Sequence, residues 1–326
     1  MKAEIEILHP GLFSTIQDFG RRGFQKYGVP LSGVMDRIAL KTANLILQNQ
    51  ADAAVMEITQ MGPKLKFSAA TKIAISGANL SPKLNDTEID NNEVVKIHEG
   101  DILSFGKPEY GMRSYLAILD GFKTEKVLGS RSWYEDITRH EKLEKGMKLQ
   151  YEGSEEEKYE THAAIKFDEE YLNSEEIEVF PGPEFEKLSE TLKSHLRQSK
   201  FSIDKNNNRM AIQLSEILEN ELQPIITGPV LPGTVQLTPG GKLIVLMRDC
   251  QTTGGYPRVL QLSEKGINMM AQKKAGDKIR FKSPPTPKGG EALSCKSCFI
   301  FFFILTSTCP DASGLFQHLN WFETVN

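Results

Sequence analysis

Three stretches of this chain gather side chains that can do chemistry. The densest is Asp249-Cys250-Gln251-Thr252-Thr253-Gly254-Gly255-Tyr256-Pro257. Five of its side chains can donate or accept hydrogen bonds around a flexible Gly-Gly pair. It follows the apolar run Lys242–Met247, so it should lie at the end of a buried strand, where a rigid sheet presents binding groups. A hairpin turn with polar surface residues is the competing account.

The second stretch is Thr15-Ile16-Gln17-Asp18-Phe19-Gly20-Arg21-Arg22-Gly23. It places an amide, a carboxylate and two guanidinium groups between glycines that allow close backbone approach. Arg21 or Arg22 could clamp a carboxylate with two hydrogen bonds. Equally, an Asp–Arg pair could simply fix a loop. The third stretch, Gly28-Val29-Pro30-Leu31-Ser32-Gly33-Val34-Met35-Asp36, leads into a capped helix. Helix N-termini bind anions through free amides, and Ser32 could add a hydroxyl. A plain helix start explains the same residues.

Other signals carry less. Met147-Lys148-Leu149 is a near miss for a biotin-attachment motif with the wrong flanks, and a strand after a turn explains it better. There is no P-loop, no Gly-x-Ser-x-Gly elbow and no His-Glu-x-x-His helix. Cys295-x-x-Cys298 has no second pair of matching spacing, and His318 is a poor substitute, so no metal site is expected. Cys250 and Cys309 complete the four cysteines, read as reduced thiols of a cytoplasmic protein. Lys plus Arg is 39 and Asp plus Glu 43, a net charge of −4, which gives no general pull toward nucleic acid or anionic membrane. The N-terminal residues alternate charged and apolar, unlike a signal peptide. The longest apolar run, Cys298 to Leu305, is too short to span a bilayer.

The elements that must hold these motifs are mostly short and β-like, punctuated by Gly and Pro as in barrels and sandwiches. Three helices stand out. One covers about Asp36 to Gln48, with Asp36 as N-cap and Ala39, Ala43, Ile46 and Leu47 on one face. A second opens at Pro183 and carries Phe185, Leu188, Leu192 and Leu196. A third starts near Ser263 with Ile267, Met270 and Ala271. Glu99-Gly100-Asp101-Ile102-Leu103-Ser104-Phe105 echoes Ala275-Gly276-Asp277-Lys278-Ile279-Arg280-Phe281, and Lys145-Gly146-Met147-Lys148-Leu149 is a weaker third copy. Each reads as a tight turn followed by a strand, suggesting two related β units. The acidic stretch from Gly153 to Glu176 reads as their connection.

Taken in order, Gly11 to Gly23, Gly28 to Asp36, Ala43-Asn44, Glu57, Gly77-Ala78, Gly129-Ser130-Arg131-Ser132, Pro232 to Gln236, Asp249 to Pro257 and Gly276-Asp277 resemble the allophanate hydrolase subunit 2 family, over about residues 5–281. That family includes the carboxyltransferase part of urea carboxylase, a subunit of ATP-dependent 5-oxoprolinase, and an antagonist of a kinase inhibitor. The resemblance implies a mainly β fold with two cyclophilin-like β-barrel domains and a few short helices. Residues 1–160 would form the first, 177–282 the second, and 283–326 an atypical appendage. It implies a smaller homologous partner subunit and a small amide or lactam substrate, with no nucleic acid or membrane partner. No covalently bound cofactor is implied. ATP in the complex and biotin on a separate carrier are compatible with it.

Under that resemblance, the amides of Gly254 and Gly255 with Gln236 and Tyr256 would face an oxyanion. Arg21 or Arg131 would hold a substrate carboxylate, and Asp18 or Asp249 would orient those groups or move a proton. Gln17, Ser32 and Thr253 complete the expected binding set. The chain departs from the family at Asp120-Gly121, at Trp133-Tyr134-Glu135-Asp136 and at Gln213, where an arginine is usual. A regulatory binding module remains the alternative to an enzyme subunit.

Overall fold

The computed structural model describes residues 2–154 and 170–284 of the 326. The cysteines Cys295, Cys298 and Cys309, the apolar run and the expected appendage lie outside the described residues, as does most of the acidic connection.

The described residues are mainly β, with four helices among them. In the second half seven strands close a barrel, in the order Glu176–Pro181, Arg258–Leu262, Thr234–Leu237, Lys242–Leu246, Ala211–Ile217, Phe201–Asn207 and Lys278–Lys282. Every pair is antiparallel except the one that joins Glu176–Pro181 to Lys278–Lys282. Alternate residues Ile177, Val179, Ile203, Leu214, Val235, Leu243 and Val245 fill its core, as the two-residue period of a strand requires.

In the first half the pairing runs as two sheets. A six-stranded sheet includes Lys2–His9 between Lys148–Glu152 and Lys64–Phe67. A five-stranded sheet has Phe13–Gln17, Val55–Thr59, Tyr110–Ile118, Thr71–Asn79 and Val95–Ile97 in that order. Ile5, Ile7, Ile16, Ile58, Phe67, Ile75, Leu103 and Leu116 from both sheets share one core.

The Gly-Asp echo is structural. Gly100 and Gly276 both sit at positive φ, 87° and 88°, and both Asp side chains accept from the amide three residues earlier (2.7 Å from His98, 2.9 Å from Lys274). Each glycine amide donates to a neighbouring strand, and that strand residue donates back to the next carbonyl: Gly100 with Phe67, Gly276 with Ile203, and in the third copy Gly146 with Ile7. One turn-to-strand joint is thus used three times.

The helix Arg37–Ile46 forms as expected, with the Asp36 carboxylate capping the amides of Ile38 and Ala39. Its apolar face packs on the inner strands of the five-stranded sheet through Ala39, Leu40 and Ala43. The helix Glu264–Ala271 is capped by Ser263. The helix expected from Pro183 is instead two pieces. Phe185–Lys187 makes one 3-10 turn, Leu188 is extended (ψ 144°), and Ser189 caps a new helix, Glu190–Gln198. The hydroxyl of Ser189 satisfies the Leu192 amide, so restarting the helix leaves no orphan donor there, and Phe185, Leu188 and Leu196 still reach the core.

Candidate functional site

The Thr15–Gly23 and Gly28–Asp36 stretches lie against each other. Gly33 (φ 89°) makes this possible, because a Cβ there would sit 2.8 Å from the Gly20 nitrogen and 2.9 Å from the Asp18 carbonyl oxygen. The Asp18 carboxylate is the knot. It accepts from the Gly20 amide (2.8 Å), the Ser130 and Ser132 hydroxyls (2.5 and 2.7 Å) and the Arg131 amide (2.6 Å). Four donors match the acceptor capacity of a carboxylate, so Asp18 is placed to orient the Gly129–Ser132 loop.

Around the knot, Gln17 donates to Thr15 and to the Trp133 carbonyl, while its own Oε1 is buried without a partner. Arg21 is buried, donates through one Nη to the Ser132 carbonyl, and keeps Nε and the other Nη unpartnered. Burial pushes its guanidinium down, against the pull of Asp18 and Asp249. The Ser32 hydroxyl is also buried and unpartnered. Arg131 is half-buried beside this knot.

Across the junction from this knot lies a buried ionic network. Arg209, from the second half, meets Asp249 through two hydrogen bonds (2.7 and 3.0 Å), the Gly33 carbonyl (2.7 Å) and the carboxylate of Glu57. Glu57 stands in a strand buried along its whole length and accepts from the Met35 amide (2.7 Å) with its other oxygen. Arg113 approaches Glu57 at 3.9 Å, donates to the Ala271 carbonyl, and keeps its Nε without a hydrogen bond. Burial disfavours charge on both arginines. At Arg209 the two carboxylates outweigh that and hold it above the ordinary guanidinium range; at Arg113 burial wins and pushes it down.

Arg113, Arg209 and Asp249 form the floor of a cavity of about 500 Å³, with Thr15, Thr59, Trp133, Tyr134 and Glu135 also on its wall. The phenol of Tyr134 is pushed up, first by burial and then by Asp249, so it is a neutral donor at neutral pH. Buried charge with partnerless donors beside a cavity is a mark of a functional site.

Of the expected residues, the structure thus brings together Gln17, Asp18, Arg21, Ser32 and Arg131 around one loop, and sets Asp249 into the cavity. It places the others elsewhere. Gln236 points at the Tyr256 carbonyl (3.5 Å) and packs on Gly254. Thr253 and Gly254 pair as a short ribbon with Gly228–Pro229, beside Gly255, and Tyr256 is 41% exposed. None of these five lines the cavity. The substituted segment Trp133–Glu135 does line it, whereas Gln213 lies on the barrel near Lys242 and Asn206. Glu57, Arg113 and Arg209 were not among the expected site residues. The signal of Glu57 and Arg113 is a charge inside an otherwise apolar strand, as in Val55-Met56-Glu57-Ile58 and Gly111-Met112-Arg113-Ser114-Tyr115-Leu116, whereas Arg209 follows Asn206-Asn207-Asn208 in a bend and carries no such signal. Among the described residues no group of His, Cys, Asp or Glu could hold a metal ion, and no helix is long and apolar enough to cross a membrane.

Comparison with known proteins places this geometry. Residues 27–283 match the model of the carboxyltransferase domain, subdomain A and B. The chain is 31% identical over 283 residues to the C-type subunit of 5-oxoprolinase from Escherichia coli, covering 85% of this chain and 90% of that protein. It is 42% identical over 130 residues to urea amidolyase of Lachancea kluyveri, covering 40% of this chain and 7% of that one. The crystal structure of Kluyveromyces lactis urea carboxylase superposes with a TM-score of 0.75 at 27% identity, covering 86% of this chain and 27% of that chain. The chain thus spans about a quarter of that solved chain but nine-tenths of the Escherichia coli subunit.

Proposed function

Because the chain belongs to the family of carboxyltransferase domains with subdomains A and B, we propose that it is one subunit of a multi-subunit enzyme acting on a small amide or lactam, with 5-oxoproline as substrate and ATP driving its ring opening. The observation that carries this reading is the similarity to the Escherichia coli 5-oxoprolinase subunit, which runs almost the full length of both chains. The urea-acting relatives contain the matching region as a small part of a much longer chain.

The cavity supports a small anionic substrate. Arg113 has a buried donor to spare, and Arg21 stands close enough to Asp249 to add positive potential from behind. A substrate carboxylate would be drawn to the Arg113 guanidinium on the cavity floor and pair with it by charge-assisted hydrogen bonding. Tyr134, kept neutral by its surroundings, would donate to the oxygen that gains charge as the lactam carbonyl is attacked. Asp249 is held by Arg209 and would fix that donor's position. A smaller homologous subunit would complete the site, and ATP would be consumed in the assembled complex.

A second reading is carboxyl transfer from biotin on a separate carrier, favoured by the high local identity to urea amidolyase. One experiment separates the two. The chain is purified alone and in complex with the smaller subunit and a lactam-hydrolase subunit, and 5-oxoproline-dependent ATP hydrolysis is measured. The reading expects turnover by the complex and none by the chain alone. Turnover by the chain alone, or a stable complex inert toward 5-oxoproline but active with a carboxybiotinylated carrier, overturns it. A stable complex inert in both assays favours a regulatory role.

A further inference from the structure

A second cavity, of about 280 Å³, opens on the other side of Trp133. It uses neither the arginine network nor Asp249. Its polar wall carries Lys123, Arg139, His140 and Lys148, and its apolar wall Trp133, Met147 and Leu149. Trp133 is 4% exposed and lines both cavities, so its indole is a partition between them. On the small-cavity side it packs against the His140 ring at 5.5 Å.

The charge inventory constrains what this cavity can hold. Lys123 donates to the Asp120 carbonyl (2.8 Å) and Lys148 pairs with Glu4 (3.1 Å), which occupies one of three donors on each ammonium. Arg139 has no hydrogen bond or ion pair among the described residues. Lys148 thus has its carboxylate partner in Glu4, with Glu6 opposite it in register, whereas Lys123 and Arg139 have no ion pair among the described residues. Thr124, also on the wall, holds a buried hydroxyl without a partner. Buried polar groups are rarely left so, and a ligand or ordered water is the usual remedy.

From these features we infer that the small cavity is a second ligand site, selective for a small organic monocarboxylate. A single carboxylate can pair with Arg139 and Lys123, the wall's two cations without an ion pair among the described residues. The volume lies at the low end of small-molecule sites, and the Trp133–Met147–Leu149 wall suits a short apolar body. A phosphate, polar on every side, would meet apolar surface at Trp133, Met147 and Leu149.

Trp133 is a built-in reporter. The chain has two tryptophans, so Trp321→Phe leaves Trp133 as the only indole. Isobutyrate and inorganic phosphate serve as probes, each titrated into the full chain while indole fluorescence is followed. The expected result is a saturable change with isobutyrate and none with phosphate at equal concentration. Arg139→Gln should weaken isobutyrate binding at least tenfold without moving the melting temperature, because Arg139 is exposed. Lys123→Gln should weaken it in the same direction. No saturable change overturns the inference, and so does preference for phosphate. An isobutyrate response untouched by both substitutions places the ligand in the larger cavity and also overturns it. Neither outcome depends on turnover of 5-oxoproline, so this site and the proposed activity can fail separately.

Discussion

Replacing Arg209 with methionine tests the central feature of the molecule. The guanidinium neutralises two carboxylates at once, Glu57 at 1% exposure and Asp249 at 8%, and also serves the Gly33 carbonyl. Methionine fills similar volume but leaves two buried negative charges with no direct salt bridge closer than Arg113 at 3.9 Å from Glu57, and Arg21 acting on Asp249 only through space. Removing one partner from a buried ion pair costs about 3–5 kcal/mol, mostly from the charge left behind. For a chain of this size that corresponds to a fall in melting temperature of roughly 10 °C. Arg209→Lys should recover little, since an ammonium cannot pair twice with Asp249 while reaching Glu57 and Gly33. The assay is urea unfolding followed by circular dichroism, run as a double-mutant cycle with Glu57→Gln. Because Glu57→Gln removes one stranded charge, the double variant should be less destabilised than the sum of the singles by about 1 kcal/mol or more. Strict additivity, or an Arg209→Met variant within about 1 kcal/mol of the parent, would show that the network is not a coupled buried unit.

Two other groups give tests of a different kind. Burial raises the Asp36 carboxyl above its ordinary range, against hydrogen bonds from Gln272, Tyr171 and two helix amides. A carboxyl raised in the folded state supports folding fully below its unfolded value of about 3.9, and that support is lost as pH rises through the folded value. Asp36→Asn keeps a competent cap, so its stability relative to the parent should climb as pH rises above about 4; a pH-independent difference in urea midpoint refutes this. Burial also pushes the Cys250 thiol up to about 12. At pH 8 an alkylating reagent should therefore leave the Cys250 peptide unmodified in native protein and modify it in urea, as read by mass spectrometry, and native labelling would contradict the buried placement.

Local features were the legible ones. Asp36 before an apolar period announces a cap, Gly-Asp followed by alternation announces a turn and strand, and both formed as read. The helix from Pro183 failed because Leu188 and Leu192 fit one helical stripe while Ser189 between them is a better cap than interior residue. Asp249 does stand just past the strand Lys242–Leu246 and on the cavity wall. The neighbouring Thr253–Tyr256 looked equivalent in sequence, yet Thr253 and Gly254 pair with Gly228–Pro229, Tyr256 is 41% exposed, and none of the four lines the cavity. Glu57, Arg113 and Arg209 are separated by up to 152 residues. Glu57 and Arg113 announce only that a buried charge needs a partner, and nothing local says which one.

The placement of the Ser32–Asp36 segment explains why the cavity and the junction between halves are one object. Its chain belongs to the first half, but Met35 packs in the core of the second. Its backbone is held from both sides: the Ser32 amide by the Arg248 carbonyl, the Gly33 carbonyl by Arg209, the Met35 amide by Glu57 and the Asp36 amide by the Tyr115 hydroxyl. The Asp36 carboxylate then takes Tyr171 and Gln272, and Gln272 returns to the Arg113 backbone. Arg113 and Arg209 on the cavity floor are therefore also ties between the halves. A substrate anion that engages Arg113 acts on the same charge balance that sets Glu57 and Arg209, so binding and junction stability are thermodynamically linked. A ligand of the large cavity should raise the unfolding midpoint through this network. One confined to the small cavity, which shares only Trp133 with it, should stabilise independently of Arg209.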